Sequence, residues 1–491
     1  MRATTPLFTA TIIATLLPTA ARAAEPTPGT VLAAYTVLAP NRQGATVAIA
    51  RAIVQGAESP CPSLIPVTGP GGAVATTARN NPDPVNFPIR VCEAIVTASM
   101  QVDGSRQRVP GLPRKAGAVS VVGDSGCKPA DQDGCRLGSK AWPFQQIAHS
   151  AAAAKPDLVV HMGDYNYRGT PGQVSINGVR QPVYDAGDNT GSVSCQLAGP
   201  YHGQNSQGSA DPDRWQNWWL DLFQPAADLL AAAPWVVARG NHELCSRAGP
   251  GWFYLLDPGS DLAGVETGQA VCPAAETSEP LVFGAPYRID LPGLALLVVD
   301  SANACDQGEL HQAHFDQQFK EVQRLLGNSP DPALVALVSH RPLSAVRKAD
   351  ASTAPGDSDR SGAYAIIDQT LQRAYRKYPL PRPVDLVLSG HMHRFQAIGF
   401  SRASQAPYPD QLVVGNSGVS LAHNHPAKPF SLPIDGLTGS GFGLSKFGYM
   451  EIAPGGKHGW KGTLRNPAGK PLASCEGGKG ATKTGPCTPK K

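Results

Sequence analysis

Five short apolar runs in this chain each stop at residue types that bind metal ions, and no other feature constrains the fold as strongly. Ala118-Val119-Ser120-Val121-Val122 ends at Gly123-Asp124, and Leu158-Val159-Val160-His161-Met162 ends at Gly163-Asp164. Trp235-Val236-Val237-Ala238 leads to Gly240-Asn241-His242, Leu334-Val335-Ala336-Leu337-Val338 to Ser339-His340, and Asp385-Leu386-Val387-Leu388 to Gly390-His391-Met392-His393. Runs of this length and composition read as buried strands. Helices are expected between them at 142–154, 214–232, 309–327 and 362–378, so β-α-β recurs and the core is α/β. In such sheets the loops after the carboxyl ends of strands carry the chemistry.

Alone, each element is weak. A strand followed by Gly-Asp is commonly an Asx turn, and Gly240-Asn241-His242 is equally a helix cap with a satisfied histidine. His391 and His393 project to one side of an extended segment, which suits ligands for two neighbouring ions. Five such endings in order are what turn ordinary loops into a candidate metal site.

The flanks are different in texture. Residues 24–113 hold short β-prone pieces (Val31–Tyr35, Ala45–Ile53, Pro88–Thr97) among Pro- and Gly-rich turns, expected as a small β-rich N-terminal domain or cap before the linker 110–115. The catalytic domain is expected over 117–455, with 456–491 a surface extension, partly disordered. Arg2, the apolar run Thr11–Leu17 and Ala21-Arg22-Ala23 have the arrangement of a signal peptide over 1–23, too short for a membrane anchor. A soluble periplasmic or secreted protein with no stable membrane anchor is expected.

Ten cysteines agree with an oxidising compartment. Proximity suggests Cys61–Cys92, Cys127–Cys135 and Cys475–Cys487, with Cys195, Cys245, Cys272 and Cys305 forming two more pairs; the chain has no C-x-x-C pair of the kind zinc sites use. With 42 basic and 38 acidic residues and only a short Lys-rich tail, a nucleic-acid polymer is not favoured as a partner.

The ordered set Gly123-Asp124-x-Gly126, Gly163-Asp164-x-x-Tyr167, Gly240-Asn241-His242-Glu243, His340 and Gly390-His391-x-His393 resembles the calcineurin-like metallophosphoesterases and, within them, the purple acid phosphatases. Most of that superfamily has Asp-x-His in the first block. Here it is Asp124-Ser125-Gly126, and a tyrosine three positions after the second block's aspartate, Tyr167, stands where purple acid phosphatases compensate for the lost imidazole. Tyr165 is the rival phenol. Leu337 replaces the usual valine of the fourth block, an apolar exchange. The resemblance covers about residues 117–420 and implies a four-layer α/β/β/α sandwich.

It also implies roles. Asp164 would bridge two metals; Asp124, Tyr167 and His393 would complete an Fe(III) site, and Asn241, His340 and His391 a divalent site for Zn, Mn or Fe. Hard anionic oxygens do suit a trivalent ion, and imidazole with an amide oxygen a softer divalent one. His242 would be the general acid, with Glu243 either orienting it or making a structural cap contact. Arg341, which with Arg347 and Lys348 follows His340, and Asn416, His423 and His425 are candidate substrate contacts, the last two against an ordinary loop role; the insertion 168–213 is a candidate rim. The implied activity is hydrolysis of phosphate monoesters of small molecules by metal-bound hydroxide. The alternatives are a phosphodiesterase or nucleotidase on the same site, and a non-catalytic phosphate- or metal-binding protein.

Overall fold

The computed structural model describes residues 27–490 except 69–70, 130–131, 169–171, 177–178, 184–212, 246, 273–281, 305–310, 328–332, 349–363, 367–368, 381–383, 401–407, 424–428, 435–436, 457–458 and 479–484. The expected signal peptide, Cys195, Cys305, His425 and most of the 168–213 insertion lie outside the described residues, as do the side chains of Arg347 and Lys348.

The main strands are β1 (Val31–Pro40), β2 (Thr46–Gln55), β3 (Ile89–Val96), β4 (Val119–Val122), β5 (Leu158–His161), β6 (Trp235–Val237), β7 (Tyr287–Leu291), β8 (Leu294–Val299), β9 (Leu334–Ser339), β10 (Leu386–Ser389), β11 (Phe395–Phe400), β12 (Asp410–Val414), β13 (Leu437–Leu444), β14 (Tyr449–Pro454), β15 (Gly459–Arg465), β16 (Pro471–Gly478) and β17 (Cys487–Pro489). They form two sheets. An eleven-stranded sheet runs β17-β16-β15-β14-β4-β5-β6-β1-β2-β3 with Thr77–Ala78 at its edge, and an eight-stranded one runs β7-β8-β9-β10-β12-β11-β13 with Phe430–Ile434 at its edge. The centre of each is parallel: β4, β5, β6 and β1 in the first, β8, β9, β10 and β12 in the second. Every strand that ends in a site motif is therefore central and points its carboxyl end the same way as its parallel neighbours.

Alternation along these strands builds the layers. Val121, Val160 and Val236 of the first sheet share one apolar cluster with Leu296, Val338, Leu388 and Leu412 of the second, so the sheets pack face to face. The intervening residues face outward: Val122, Val159 and Val237 pack on Ile147 and Leu229 from helices α1 (Phe144–Ala153) and α2 (Ala227–Ala232). On the far side Leu297, Leu337 and Val387 pack on Phe319 and Leu371 from α3 (Gln312–Gly327) and α4 (Gln369–Lys377). The result is the α/β/β/α sandwich expected. Each fully buried aliphatic side chain here contributes roughly 1.5–3 kcal/mol of transfer free energy.

Local differences from the sequence reading have physical causes. The N-terminal stretch is β-rich but is hydrogen-bonded into the main sheet: β1 lies parallel to β6 with Val37 opposite Trp235. The C-terminal stretch likewise supplies β15, β16 and β17 as outer strands. The helix expected at 214–232 is broken into Trp215–Trp218, a π turn at Trp219–Phe223 and α2. Pro225, lacking an N–H, separates the last two pieces. The helix expected at 362–378 begins only at Gln369, because Tyr364–Ile366 is a strand paired with Val346–Lys348.

Disulfides join Cys61–Cys92, Cys127–Cys135, Cys245–Cys272 and Cys475–Cys487. Among the described residues no helix is long and apolar enough to cross a membrane.

Candidate metal centre

At the carboxyl ends of the central strands the backbone turns so sharply that four of the seven expected ligands adopt left-handed conformations: Asp124 (φ 53°), Asp164 (φ 57°), His391 (φ 70°) and His393 (φ 46°). Non-glycine residues rarely do so, and such strain clusters at functional sites. Glycines make the approach feasible. A Cβ on Gly240 would stand 2.1 Å from Asp164 Oδ1, and Gly163 itself has φ 97°.

Two groups of donor atoms result, sharing one carboxylate. In the first, the Tyr167 hydroxyl lies 2.5 Å from Asp164 Oδ2, 3.2 Å from Asp124 Oδ1 and 3.0 Å from His393 Nε2. One ligand atom each from Asp124, Asp164 and His393 falls within 4.8 Å of the others. In the second, Asn241 Oδ1 lies 2.9 Å from both His340 Nε2 and His391 Nδ1, and His340 Nε2 lies 3.3 Å from Asp164 Oδ1. His340 Nδ1 is 2.8 Å from the Met162 carbonyl, an acceptor only, so Nδ1 carries a proton and Nε2 is the nitrogen left for a ligand bond. Asp164 thus presents Oδ2 to one group and Oδ1 to the other. The donor types fit the metals expected: carboxylate and phenol oxygens on one side, imidazole and amide on the other.

The charges confirm the crowding. Burial raises the Asp124 carboxyl to about 8, with Asp164 adding to it against the pull of His340. Burial, Asp164 and Asp124 also push the Tyr167 phenol well above its ordinary value. For Asp164, burial acts upward, but the His340 and His242 rings hold it well below the usual carboxylate range. His340 is the reverse: burial alone would lower it, and Asp164 raises it to about 9. Burial and then the Lys128 ammonium push His393 down to about 3. These directions belong to the polypeptide alone, and a multivalent cation among the donors would favour the ionised phenol and carboxylates.

The other expected residues separate. His242 packs its ring on Tyr167 with centroids 3.8 Å apart, and its Nδ1 is buried with no hydrogen-bond partner among the described residues. Glu243 does not reach outward. Its two oxygens accept the backbone N–H groups of Gly240, Asp164, Tyr165 and Asn166 at 2.8 to 3.3 Å, which is the structural contact weighed above. Arg341 is buried with Nη1 3.0 Å from His391 Nε2. Asn416 directs its amide to the Lys446 carbonyl at 2.8 Å and so serves the adjoining loop. His423 is exposed, next to Ala422, whose N–H donates to the His393 carbonyl. Tyr165 is excluded as the ligand phenol because its hydroxyl donates to the Ala238 carbonyl, 3.0 Å away.

Three supporting residues had no sequence signal. Asp221, in the π turn, accepts the N–H groups of Cys127 and Tyr167, each at 3.2 Å, and pairs with Arg168 at 2.6 Å. His161 bridges Ser125 Oγ (2.9 Å) and the Gly163 N–H (3.2 Å) beneath the two aspartate loops. Ser417 accepts the Gly123 N–H at 3.2 Å. Each acts across a long sequence separation, which no spacing rule could have revealed.

The sequence matches the calcineurin-like phosphoesterase family over residues 121–395, more than half of the chain and the stretch that holds all seven donors. The chain belongs to that family. No curated protein matches this phosphoesterase in sequence. Among solved structures it is similar to the purple acid phosphatase PPD1 from yellow lupin (Lupinus luteus) seeds, at 15% identity and a TM-score of 0.48, over 89% of this chain and 73% of that one. It is also similar to GAP50, the anchor in the inner membrane complex of Plasmodium, at 10% identity and a TM-score of 0.38, over 75% of this chain and 89% of that one. As a calcineurin-like phosphoesterase it is a metal-dependent hydrolase of phosphate esters.

Proposed function

We propose that this phosphoesterase is a periplasmic or secreted phosphatase of the purple acid phosphatase type, hydrolysing phosphate monoesters of small molecules at a binuclear centre of Fe(III) and Zn, Mn or Fe. The observation that carries the reading is Asp164, whose two oxygens face a phenol-containing donor group and an imidazole–amide donor group. Asp124, Tyr167 and His393 would hold the trivalent ion with it, and Asn241, His340 and His391 the divalent one. When bound, the two ions supply a nucleophile from water at mildly acidic pH and offset phosphoryl charge.

The chain's own residues do the rest. Glu243 and Gly240 lock the Asp164 loop against the Asn241 loop, which sets the separation of the two donor groups. His242 is the proton donor to the leaving-group oxygen. Burial, and then Arg247, lower its proton affinity well below that of free imidazole, and an anionic phosphate beside the ring would act against that shift. Four disulfides support an oxidising compartment.

The test is hydrolysis of p-nitrophenyl phosphate beside bis(p-nitrophenyl) phosphate by metal-loaded protein. Faster monoester cleavage is expected. A preference for the diester would favour the phosphodiesterase or nucleotidase reading, and cleavage of neither at full metal occupancy would leave a binding protein.

A further inference from the structure

The two donor groups are held by different supports. Within the first, His161 ties the Asp124 and Asp164 loops together, and Asp221 holds the N–H groups of Cys127 and Tyr167. The second spans both sheets: Asn241 follows β6 of the eleven-stranded sheet, and His340 follows β9 of the eight-stranded one. Their donor atoms lie 2.9 Å apart although the strands behind them belong to different sheets. The Met162 carbonyl orients the His340 ring, but the spacing of the two loops needs a tie of its own.

The turn after β8 supplies it. Asp300 Oδ2 pairs with Arg239 Nη2 at 2.8 Å, and Asp300 Oδ1 accepts from Arg239 Nε at 3.3 Å. Arg239 stands two residues before Asn241, so this pair grips the Asn241 loop from the opposite sheet. The next residue, Ser301, accepts the Arg341 N–H at its Oγ, 2.9 Å away, and Arg341 follows His340 directly. Both ligand loops therefore meet at adjacent residues of one turn. The turn is itself fixed: Asp300 also accepts the Gly284 N–H at 2.6 Å and the Ala302 N–H at 3.1 Å, and Gln318 Nε2 of α3 donates to its carbonyl at 3.0 Å. The Arg239 guanidinium lies over the Phe253 ring, 5.0 Å from its centroid. Arg239, Asp300 and Ser301 are all buried, where a charge-assisted pair is short and directional.

Both Asp300 oxygens are engaged by Arg239 and backbone N–H groups, so Asp300 is not a further ligand. Groups that orient metal ligands nonetheless govern affinity, because an ion binds best to donors already held at its coordination distances. We propose that Asp300 and Ser301 are positioning residues for the second donor group: they set the spacing of Asn241 and His340, and hence the affinity for the divalent ion, while the trivalent site keeps its own supports. This rests on the binuclear reading above.

The experiment loads wild type, Asp300→Asn, Ser301→Ala and a control with Fe(III) and then titrates Zn(II). The control is Ile49→Ala, a truncation of a fully buried side chain in β2. Zinc affinity by chelator competition, iron content, the tyrosinate–Fe(III) band and stability in denaturant are measured. Asp300→Asn should weaken zinc binding about 10–100-fold and Ser301→Ala in the same direction by less, both with wild-type iron content and an unshifted band. Ile49→Ala should lose stability yet keep its zinc affinity. Ser301→Ala changes no charge and decides the matter if Asp300→Asn does not fold. Equal zinc affinity in all the proteins would overturn the inference, as would parallel loss of iron and zinc, which would make the turn a general support of the fold. A wild type that takes up two zinc ions and no iron reassigns the metals, and weakening of only one of the two zinc steps then supports the inference. A wild type that takes up a single ion would overturn the binuclear reading, and this inference with it.

Discussion

The Tyr167 hydroxyl lies 2.5 Å from Oδ2 of Asp164, three residues earlier on the same loop, and this contact joins the phenol to the carboxylate shared by both donor groups. Tyr167→Phe removes the one phenolic donor. A visible tyrosinate–Fe(III) band is expected in the purified wild type and absent in this variant, with kcat/KM reduced at least tenfold. A colourless wild type holding two zinc or manganese ions would return the protein to the broader family without the purple acid phosphatase assignment.

His242→Ala should leave metal content unchanged, since no donor atom is lost, and lower kcat about 10²–10⁴-fold for substrates with poor leaving groups. The loss should shrink for p-nitrophenyl phosphate, whose leaving group needs a proton least. Equal losses on an alkyl phosphate and on p-nitrophenyl phosphate would remove His242 from the proton-donor role.

Glu243 accepts four backbone N–H groups from the two loops, so Glu243→Gln places an amide NH₂ against donors. Stability should fall by about 1–3 kcal/mol in chemical denaturation, and chelators should strip the metals faster. Unaltered stability with a selective fall in kcat would instead make it a catalytic partner of His242.

Two disulfides flank ligand loops: Cys127 is three residues after Asp124, and Cys245 four after Asn241. Mild reduction should release metal before circular dichroism records unfolding, because these crosslinks join loops and not the hydrogen-bonded strands of the two sheets. Equal metal content with and without reductant would refute it.

Asp213 is a buried carboxyl far in sequence from the donors, accepting the Gly251 N–H at 2.6 Å and Trp218 Nε1–H at 3.0 Å. Burial raises it to about 8 despite those bonds. Between about pH 4 and 8 the native state therefore holds a proton that the unfolded chain has lost, and this group's contribution to stability falls as pH rises through that window. Asp213→Asn lacks the effect. Denaturation at pH 5 and pH 7.5 should show the variant gaining relative to wild type at the higher pH; parallel behaviour would exclude the shift.

Much of this was written in local pattern. The buried-strand runs at 119–122, 158–161 and 334–338 appeared where apolar β-branched residues predict them, and Asp124, Asp164, Tyr167, Asn241, His340, His391 and His393 converge as the motif order implies. Local pattern failed where partners are remote. Glu243 and His242 are adjacent in sequence, yet one faces the loop backbone and the other the phenol. Asn416 sits at a strand end like the ligands, but its amide belongs to the 446–448 loop.

The sequence by itself determined the central strands and which donor types follow them, because periodicity and residue chemistry act over a few residues. Only the tertiary structure decided that the N-terminal strands extend the main sheet and that Lys128 stands beside the phenol. Those outcomes depend on left-handed backbone turns and on contacts between residues far apart in the chain, whose energies appear only once both sheets have packed.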